Sequence, residues 1–346
     1  MISVQPILSF KYFQLRKNSL PKGIRSLFYL SWEDALWDLL YKKNIKKGSY
    51  ILVPDFYCND VEKNIKQHGY KIGHYKINKN LSVDKKSFQS KISQLKPGVI
   101  VVFHPVGIKS NLFENITWLK NVTKEAILIE DSVHRVIDRK EIKIIKKNHF
   151  AIDSLRKVVP LQGARMYGKI EDLNFDEPTI FQSFFYRVKV SIYWFLMIIC
   201  WTLGFGILAE KLMIKGYEII GDSKKPSRGS FLSKLFSNHI NIRRIQKDKV
   251  KQFGIYMNKI TNRSLGQLKI KEEDKKHLRG FPIILSIKNA DMILGYLRCH
   301  GLLVCYELDG SFWSTKQKII YLPFGPQIDK KSNEDICNLV NKAFEI

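Results

Sequence analysis

Residues 98–105 read GVIVVFHP and residues 126–134 read AILIEDSVH, two aliphatic runs that each end in polar residues. A third run of this kind, YILVP at residues 50–54, is followed by DFYC. The three runs are apolar on both faces, which is typical of strands in a parallel sheet that helices cover on both sides. The sequence therefore predicts an α/β fold with a mostly parallel central sheet.

Amphipathic segments separate these runs, as the connections of a parallel sheet require. The spacing of apolar residues predicts helices over 32–41, 61–68, 88–95 and 112–122, and a further strand over 70–77. In such sheets ligands collect beyond the carboxyl ends of the strands. We therefore expect the polar residues that follow 54, 103 and 130 to converge on one site.

The sequence pattern of the C-terminal third predicts a smaller α+β module, whose length is ordinary for a domain. Its patterns indicate helices over 241–258, 290–298 and 333–344, and strands over 281–287, 302–308 and 319–324. The expected division is an N-terminal arm at 1–22, a large domain at 23–180, a hydrophobic helical insertion and linker at 181–230, and a small domain at 231–346.

The insertion contains 20 consecutive uncharged residues at 190–209, VSIYWFLMIICWTLGFGILA. About 20 apolar residues can cross a bilayer. A single crossing would put the two halves of the chain on opposite sides of the membrane, and Gly204-Phe205-Gly206 interrupts a continuous helix. We therefore favour a helix buried in the protein or in a dimer interface, ahead of a helix in the membrane plane and of a true span.

Composition limits the partners and the compartment. The chain has 58 Lys+Arg against 32 Asp+Glu, a net charge of +26, which suits an anionic membrane or phosphorylated substrates or reflects biased composition. No nucleic acid is expected, because the lysines are dispersed and no recognition motif is present. Five unclustered cysteines predict neither a disulfide framework nor a metal site. With no recognisable signal peptide, we expect the cytoplasm, with its inner membrane face as a variant.

Asp131 and Lys157, 26 positions apart, are the most informative pair of residues. An acid at a strand end and a lysine after a later strand can face one site, the pair that a pyridoxal phosphate (PLP) enzyme needs. Ser154 and the helix N-terminus at Ser31 offer groups for the cofactor's phosphate. Taken singly, Asp131 reads as a helix cap and Lys157 as a surface lysine.

Five motifs in this order resemble the DegT/DnrJ/EryC1/StrS sugar aminotransferases, which are PLP-dependent proteins of fold type I. The resemblance covers residues 23–168 and extends more loosely into the C-terminal region. The motifs are RSLFYLSWEDAL (25–36), ILVPDFYC (51–58), VVFHPVG (101–107), ILIEDSVH (127–134) and DSLRKVVPLQGA (153–164).

The resemblance implies roles for individual residues. Lys157 is the Schiff-base lysine, Asp131 the partner of the pyridinium nitrogen, and His134 the residue near the cofactor's phenolic oxygen. Others are implied to bind the phosphate, to stack on the ring or to border the pocket. These are Ser31, Trp32, Glu33 and Ser154 for the phosphate, Tyr57 or Phe56 for the ring, and His104 with Gly107 for the border. Without the family resemblance, a purely structural role is an equally good interpretation of Tyr57, Phe56 and His104.

The implied activity is transfer of an amino group from an amino acid, usually glutamate, to a nucleotide-linked keto-sugar, for surface glycan or deoxyamino-sugar synthesis. The implied assembly is a homodimer with the active site at the subunit interface. One turn departs from the family pattern: residues 31–34 read SWED, which lacks the usual glycine and adds two acids where a phosphate would bind. This leaves two alternatives, an inactive relative acting as a membrane-associated partner in glycan assembly, and a PLP-dependent sugar dehydratase.

Overall fold

A seven-stranded sheet forms the centre of the protein. The computed structural model describes residues 2–3, 9–178, 184–220, 225–261, 268–326 and 328–345. The strand order is β2-β8-β7-β6-β5-β3-β4, and β8 alone runs antiparallel to its neighbours. The strands are β2 Ile24–Tyr29, β3 Tyr50–Pro54, β4 Lys71–Tyr75, β5 Val99–Phe103, β6 Ile127–Asp131, β7 His149–Ile152 and β8 Ala164–Lys169. The predicted α/β class with a mostly parallel sheet is confirmed.

Helices connect the parallel strands. Strands β3 and β5 are buried along almost their whole length, which explains why they are apolar on both faces. The predicted helix over 112–122 is shorter than expected, because the Asn115 side chain accepts a hydrogen bond from the Trp118 N–H and starts the helix at Ile116. The helices are α1 Trp32–Lys42, α2 Asn59–Gln67, α3 Lys85–Leu95 and α4 Ile116–Val122.

The C-terminal region packs several helices around a two-stranded antiparallel sheet. Helices α7 Phe231–Asn238, α8 Ile242–Lys259 and α9 Glu272–Lys275 precede β9 Phe281–Ser286, α10 Ile287–Cys299, β11 Gln317–Leu322 and α11 Lys330–Ala343. The predicted strand over 302–308 is wrong for most of its length. Only Leu302–Leu303 is a strand, β10, which pairs with β1 Ile2–Ser3, and the chain then turns towards Glu307.

The apolar insertion forms a helical hairpin of α5 Phe184–Thr202 and α6 Gly206–Glu218. Gly204 permits the turn between them because its φ is +82°, a conformation that glycine adopts without strain. Within the described ranges, α5 is the one helix long and apolar enough to cross a membrane, with mean hydropathy 1.4, yet only 22% of that stretch is buried. The expectation that this helix is buried within its own chain is therefore wrong.

Both ends of the hairpin lie beside the end of β2. Leu30 N–H donates to the Ser227 carbonyl at 3.0 Å, and Tyr29 forms a β-bridge with Arg228. At the base of the hairpin, Val190 and Ile220 pack on Leu30. Because both ends of the hairpin lie against the same strand, a single crossing that separates the two halves of the chain is excluded.

Candidate active site

The Asp131 carboxylate lies at the carboxyl end of β6, next to the point where the strand order reverses between β3 and β5. The residue is 2% exposed. Its Oδ2 accepts a hydrogen bond from the Tyr57 hydroxyl at 2.8 Å, and its Oδ1 accepts one from the Val133 N–H at 3.1 Å. Burial raises the pKa of Asp131 to about 7, although the Tyr57 hydrogen bond and the nearby Lys157 charge act in the opposite direction.

Lys157 reaches the same place from the segment after β7. Residues Leu155–Lys157 form one 3-10 turn, with Leu155 buried and its N–H bonded to the Gly163 carbonyl at 2.9 Å. This turn follows Ser154, whose side chain makes no capping hydrogen bond. The Lys157 charge acts on Asp131, His134 and Glu307, in each case favouring a lower pKa. Asp131 and Lys157 are therefore brought together, as the sequence predicts.

A cavity of about 110 Å³ joins these groups. Its wall is mostly apolar and aromatic, with charged groups from five separate parts of the chain. The lining residues are Trp32, Glu33, Tyr57, Cys58, Asp60, Val61, Phe103, Asp131, Val133, His134, Ser154, Arg156, Lys157, Ile220, Glu307 and Leu308. Of the residues predicted to bind the phosphate, Ser31 is the one that does not line it.

His134 faces a group that sequence reasoning missed. Its Nε2 lies 3.2 Å from Glu307 Oε1, and the other Glu307 oxygen accepts a hydrogen bond from Arg279 at 2.5 Å. Burial lowers the pKa of His134 to about 4, so the ring is neutral at pH 7. The Arg279 charge and the interaction with His134 outweigh burial and hold the pKa of Glu307 well below its usual range. No local pattern around Glu307 marks it, because the residue falls in the segment expected to be a strand.

The helix N-terminus at the other end of the cavity is already capped. The Ser31 Oγ accepts a hydrogen bond from the Asp34 N–H at 3.1 Å and donates to Asp34 Oδ2 at 2.7 Å. The second Asp34 oxygen accepts from the Ser227 N–H at 2.8 Å, and burial raises the pKa of Asp34 to about 7. Two buried polar atoms in the first turn of α1 have no hydrogen-bond partner in the described part of the chain, Glu33 Oε2 and Trp32 Nε1.

Three residues expected near the pocket lie elsewhere. Phe56 is fully buried and packs on Trp313, with ring centroids 4.5 Å apart, so Tyr57 is the aromatic residue that reaches the cavity. Neither Gly107 nor His104 borders the cavity, and that expectation is wrong. His104 Nε2 instead lies 2.9 Å from Glu130, whose side chain leaves β6 on the opposite face from Asp131 because strand side chains alternate.

The donor set of the cavity fits a PLP-type cofactor. Asp131 offers a buried carboxylate to a ring N–H, and its present partner, the Tyr57 hydroxyl, is the kind of donor such a group would replace. At the other end, the Trp32 Nε1–H, the Ser154 hydroxyl and the Arg156 guanidinium are donors suited to a phosphate. The Glu33 carboxylate opposes an anion there, and Asp60 adds a further carboxylate to the cavity lining.

No protein-family model and no curated protein matches this sequence. Solved structures do. Spr1654 of Streptococcus pneumoniae, assigned as a sugar aminotransferase, superposes in its PMP form with TM-score 0.64 and 12% identity, over 100% of this chain and 99% of that one.

Two further structures align over 93% of this chain. DesV of S. venezuelae, in complex with a ketimine intermediate, gives TM-score 0.61 and 12% identity over 85% of its own chain. PseC of Helicobacter pylori, an aminotransferase involved in the biosynthesis of pseudoaminic acid, gives 0.59 and 14% over 87%. Along its whole length this chain therefore has the fold of these aminotransferases, fold type I.

Proposed function

We propose that this protein is a PLP-dependent aminotransferase that moves an amino group from an amino acid, with glutamate as the expected donor, to a nucleotide-linked keto-sugar. It would act in the cytoplasm as a homodimer, in surface glycan or deoxyamino-sugar synthesis. One observation carries the proposal: Asp131 and Lys157 line one buried cavity at the carboxyl edge of a fold type I sheet. The likeness to Spr1654 and PseC supports the reaction class.

In this proposal the cofactor, when bound, supplies an electron sink for the bonds at the substrate's α-carbon. The chain has to hold the ring nitrogen protonated, and Asp131 is suited to this. Its carboxylate is fixed by the Val133 N–H and shielded from water, so an ion pair with a ring N–H would be strong. That ion pair would also bring the pKa of Asp131 down from about 7.

Lys157 is suited to carry a proton at its Nζ between donor and acceptor atoms in the cavity. A lysine acts as a base only after it loses its charge, and a second cation nearby promotes this. Arg156, its neighbour in the chain, lines the same cavity. Asp131 and Glu307 favour the charged form instead, so neutralising Asp131 through a ring N–H would release Lys157 for proton transfer.

His134 is suited to position the ring. With Nε2 facing the ionised Glu307, the proton of the neutral imidazole belongs on Nε2, which leaves Nδ1 as a buried acceptor without a hydrogen-bond partner in the described chain. A hydroxyl on the cofactor ring would satisfy it. The Arg279–Glu307–His134 chain thus ties the C-terminal region to the site.

The test is direct trapping of the cofactor on the full-length protein. The protein is incubated with PLP, reduced with borohydride, digested and analysed by mass spectrometry. We expect a pyridoxyl adduct on Lys157, and loss of both the adduct and the visible absorbance band in Lys157→Ala. A matched control, Lys109→Ala, removes an exposed lysine outside the cavity and should keep both. Adducts scattered over surface lysines, or no band in the wild type, would refute the proposal.

Glu33 supports a second candidate function, that of a relative without catalytic activity acting as a partner in glycan assembly. A buried carboxylate oxygen without a hydrogen-bond partner, at the end of the cavity where a phosphate would bind, disfavours an anion there. The variant Glu33→Gln distinguishes the two. If Glu33 only weakens PLP binding, the variant binds PLP more tightly than the wild type. If the protein has lost the cofactor altogether, neither protein forms the adduct on Lys157.

A further inference from the structure

The helical hairpin of α5 and α6 exposes a continuous apolar surface. On α5 the exposed side chains recur every three or four residues and so lie on one face. We call this face the apolar stripe: Phe185, Val188, Ile192, Phe195, Leu196, Ile199 and Leu203, which are 36% to 86% exposed. Phe205, Ile207 and Leu208 extend it around the turn, each at least 50% exposed. Apolar patches larger than about a few hundred Å² are rare on monomers and mark contact with another phase or molecule.

The exposed charges of the hairpin are mainly positive and lie away from its tip. Lys189, Lys211 and Lys215 are exposed, whereas residues 190–209 carry no charge. Glu210 is engaged within the protein, because both of its oxygens lie 3.1 Å from Arg298 on α10. Of the remaining acids in the hairpin, only Glu218, at the end of α6, is exposed.

The position of these charges limits how deeply the hairpin can enter a membrane. From Phe205 to Lys211 there are six residues of helix, or ~9 Å at 1.5 Å per residue. Amphipathic helices that lie in the membrane interface bury their apolar face by about 5–10 Å. The charge-free tip therefore matches interfacial insertion, with Lys211 at the level of the lipid headgroups.

We propose that the α5–α6 hairpin docks this protein on an anionic lipid bilayer, with the apolar stripe and the tip in the interface and the three lysines on the headgroups. The protein body stays on one side, since the chain enters and leaves the hairpin beside Leu30. This proposal is independent of the proposed reaction and holds for either candidate function. It places the cavity, whose wall includes Ile220 at the base of the hairpin, close to the membrane surface.

Charge favours a bilayer over a second copy of the chain as the occupant of this surface. If two copies met through this surface, the same three exposed lysines of each copy would lie beside the contact, with like charges facing one another. An anionic leaflet offers the opposite charge, and each lysine near it contributes about 1 kcal/mol of attraction.

The first experiment is co-sedimentation of the full-length protein with vesicles of phosphatidylcholine, with or without phosphatidylglycerol. We expect binding that requires phosphatidylglycerol and weakens with salt. The variant Phe195→Asp/Ile199→Asp/Leu203→Asp should bind more than about 100-fold more weakly. Ile116→Asp, an equally apolar exposed residue on α4, should bind as the wild type does. Replacing Lys189, Lys211 and Lys215 by Gln should weaken binding by about fivefold per lysine.

A second measurement uses the wild-type chain, so it does not depend on the folding of a variant. Trp201 lies near the end of α5, and lipids with brominated acyl chains should quench its fluorescence, a signal that Trp201→Phe removes. The proposal is overturned if the stripe variant sediments like the wild type or if bromine leaves the Trp201 signal unchanged. It is also overturned if the wild-type protein does not bind the vesicles and light scattering gives the stripe variant half the molecular mass of the wild type. That result would identify the surface as a contact between two copies of the chain.

Discussion

Glu130 and Asp131 are adjacent carboxylates on β6, yet the two faces of the sheet give them opposite properties. Glu130 lies between two imidazoles, 2.9 Å from His104 Nε2 and 3.5 Å from His149 Nε2, and these hold its pKa well below the usual range. Asp131 has a hydroxyl and one N–H as partners, and burial raises its pKa to about 7.

The tautomers of the two histidines follow from their other contacts. His104 Nδ1 accepts the Ser110 N–H, and His149 Nδ1 accepts the Ile145 N–H, each at 3.0 Å. Both protons therefore sit on Nε2. His104 donates its proton to Glu130 at 2.9 Å, whereas His149 Nε2 lies 3.5 Å from the other Glu130 oxygen without a hydrogen bond in the described part of the chain. A buried carboxylate that is stabilised by nearby N–H groups keeps its charge and contributes to the stability of the fold. A buried carboxylate with weaker stabilisation has a raised pKa and can take part in chemistry.

The largest expected effect is on the reaction and belongs to Asp131 alone. Asp131→Asn cannot hold a charged ring nitrogen, so the glutamate half-reaction, followed by cofactor absorbance, should slow by about 1,000-fold, or ~4 kcal/mol. The matched variant Glu130→Gln should react within about threefold of the wild type when folded. If both variants lost the same amount of rate, the two faces of β6 would not differ in their contribution to the reaction.

The next largest effect is on stability and belongs to Glu130. In Glu130→Gln the amide oxygen can still accept from His104, but the NH₂ group then faces the N–H of His149, whose Nε2 lies 3.5 Å from Glu130. The free energy of unfolding in urea should fall by about 3 kcal/mol. Glu62→Gln tests a histidine pair nearer the surface, where Glu62 lies 3.0 Å from a 26% exposed His74, and should cost under about 1 kcal/mol. A comparable loss at both sites would contradict the role given to the buried face.

The two carboxylates should also make stability depend on pH in opposite directions. Between about pH 4 and pH 7 folded Asp131 keeps a proton that the unfolded chain, with a pKa of 3.8, has lost, so stability falls as pH rises through this range. Asp131→Asn should remove a fall on the order of 3 kcal/mol. The low pKa of Glu130 makes stability fall instead as the solution becomes more acidic than pH ~4. Urea unfolding at a series of pH values measures both effects. If the free energy of unfolding changed with pH in the same way in Asp131→Asn and in the wild type, the raised pKa would not belong to Asp131.

The smallest expected effect belongs to Tyr57, whose hydroxyl donates a hydrogen bond to Asp131. Tyr57→Phe removes one hydrogen bond to the carboxylate, which should lower the free energy of unfolding by about 1 kcal/mol and raise the pKa of Asp131 further. Tyr75→Phe is the control, because its hydroxyl donates to the Val101 carbonyl at 2.9 Å. It should cost a similar amount and leave the pH midpoint where it is. A midpoint shift in the control alone would show that the hydroxyl of Tyr57 does not govern Asp131.

The sequence by itself determined the parallel sheet and the two residues on which the proposed reaction depends. Aliphatic runs on both faces of β3, β5 and β6 leave a helix-covered sheet as the arrangement that buries them. Because the carboxyl ends of these strands share one edge, the residues after them had to meet, which brought Asp131 and Lys157 to one cavity. The hydrophobic segment was equally visible, since a run of 20 uncharged residues depends on composition alone.

Tertiary structure decided which neighbours those residues have. Glu307 reaches His134 from more than 170 positions away along the chain, and Glu130 faces His104 because side chains alternate along β6. Neither pairing follows from local spacing. Likewise the uncharged segment is a hairpin exposed to solvent and not a buried helix, because a turn at Gly204 sends α6 back to the strand beside Leu30. Contacts between distant parts of the chain set burial and charge, and these set the chemistry of each residue.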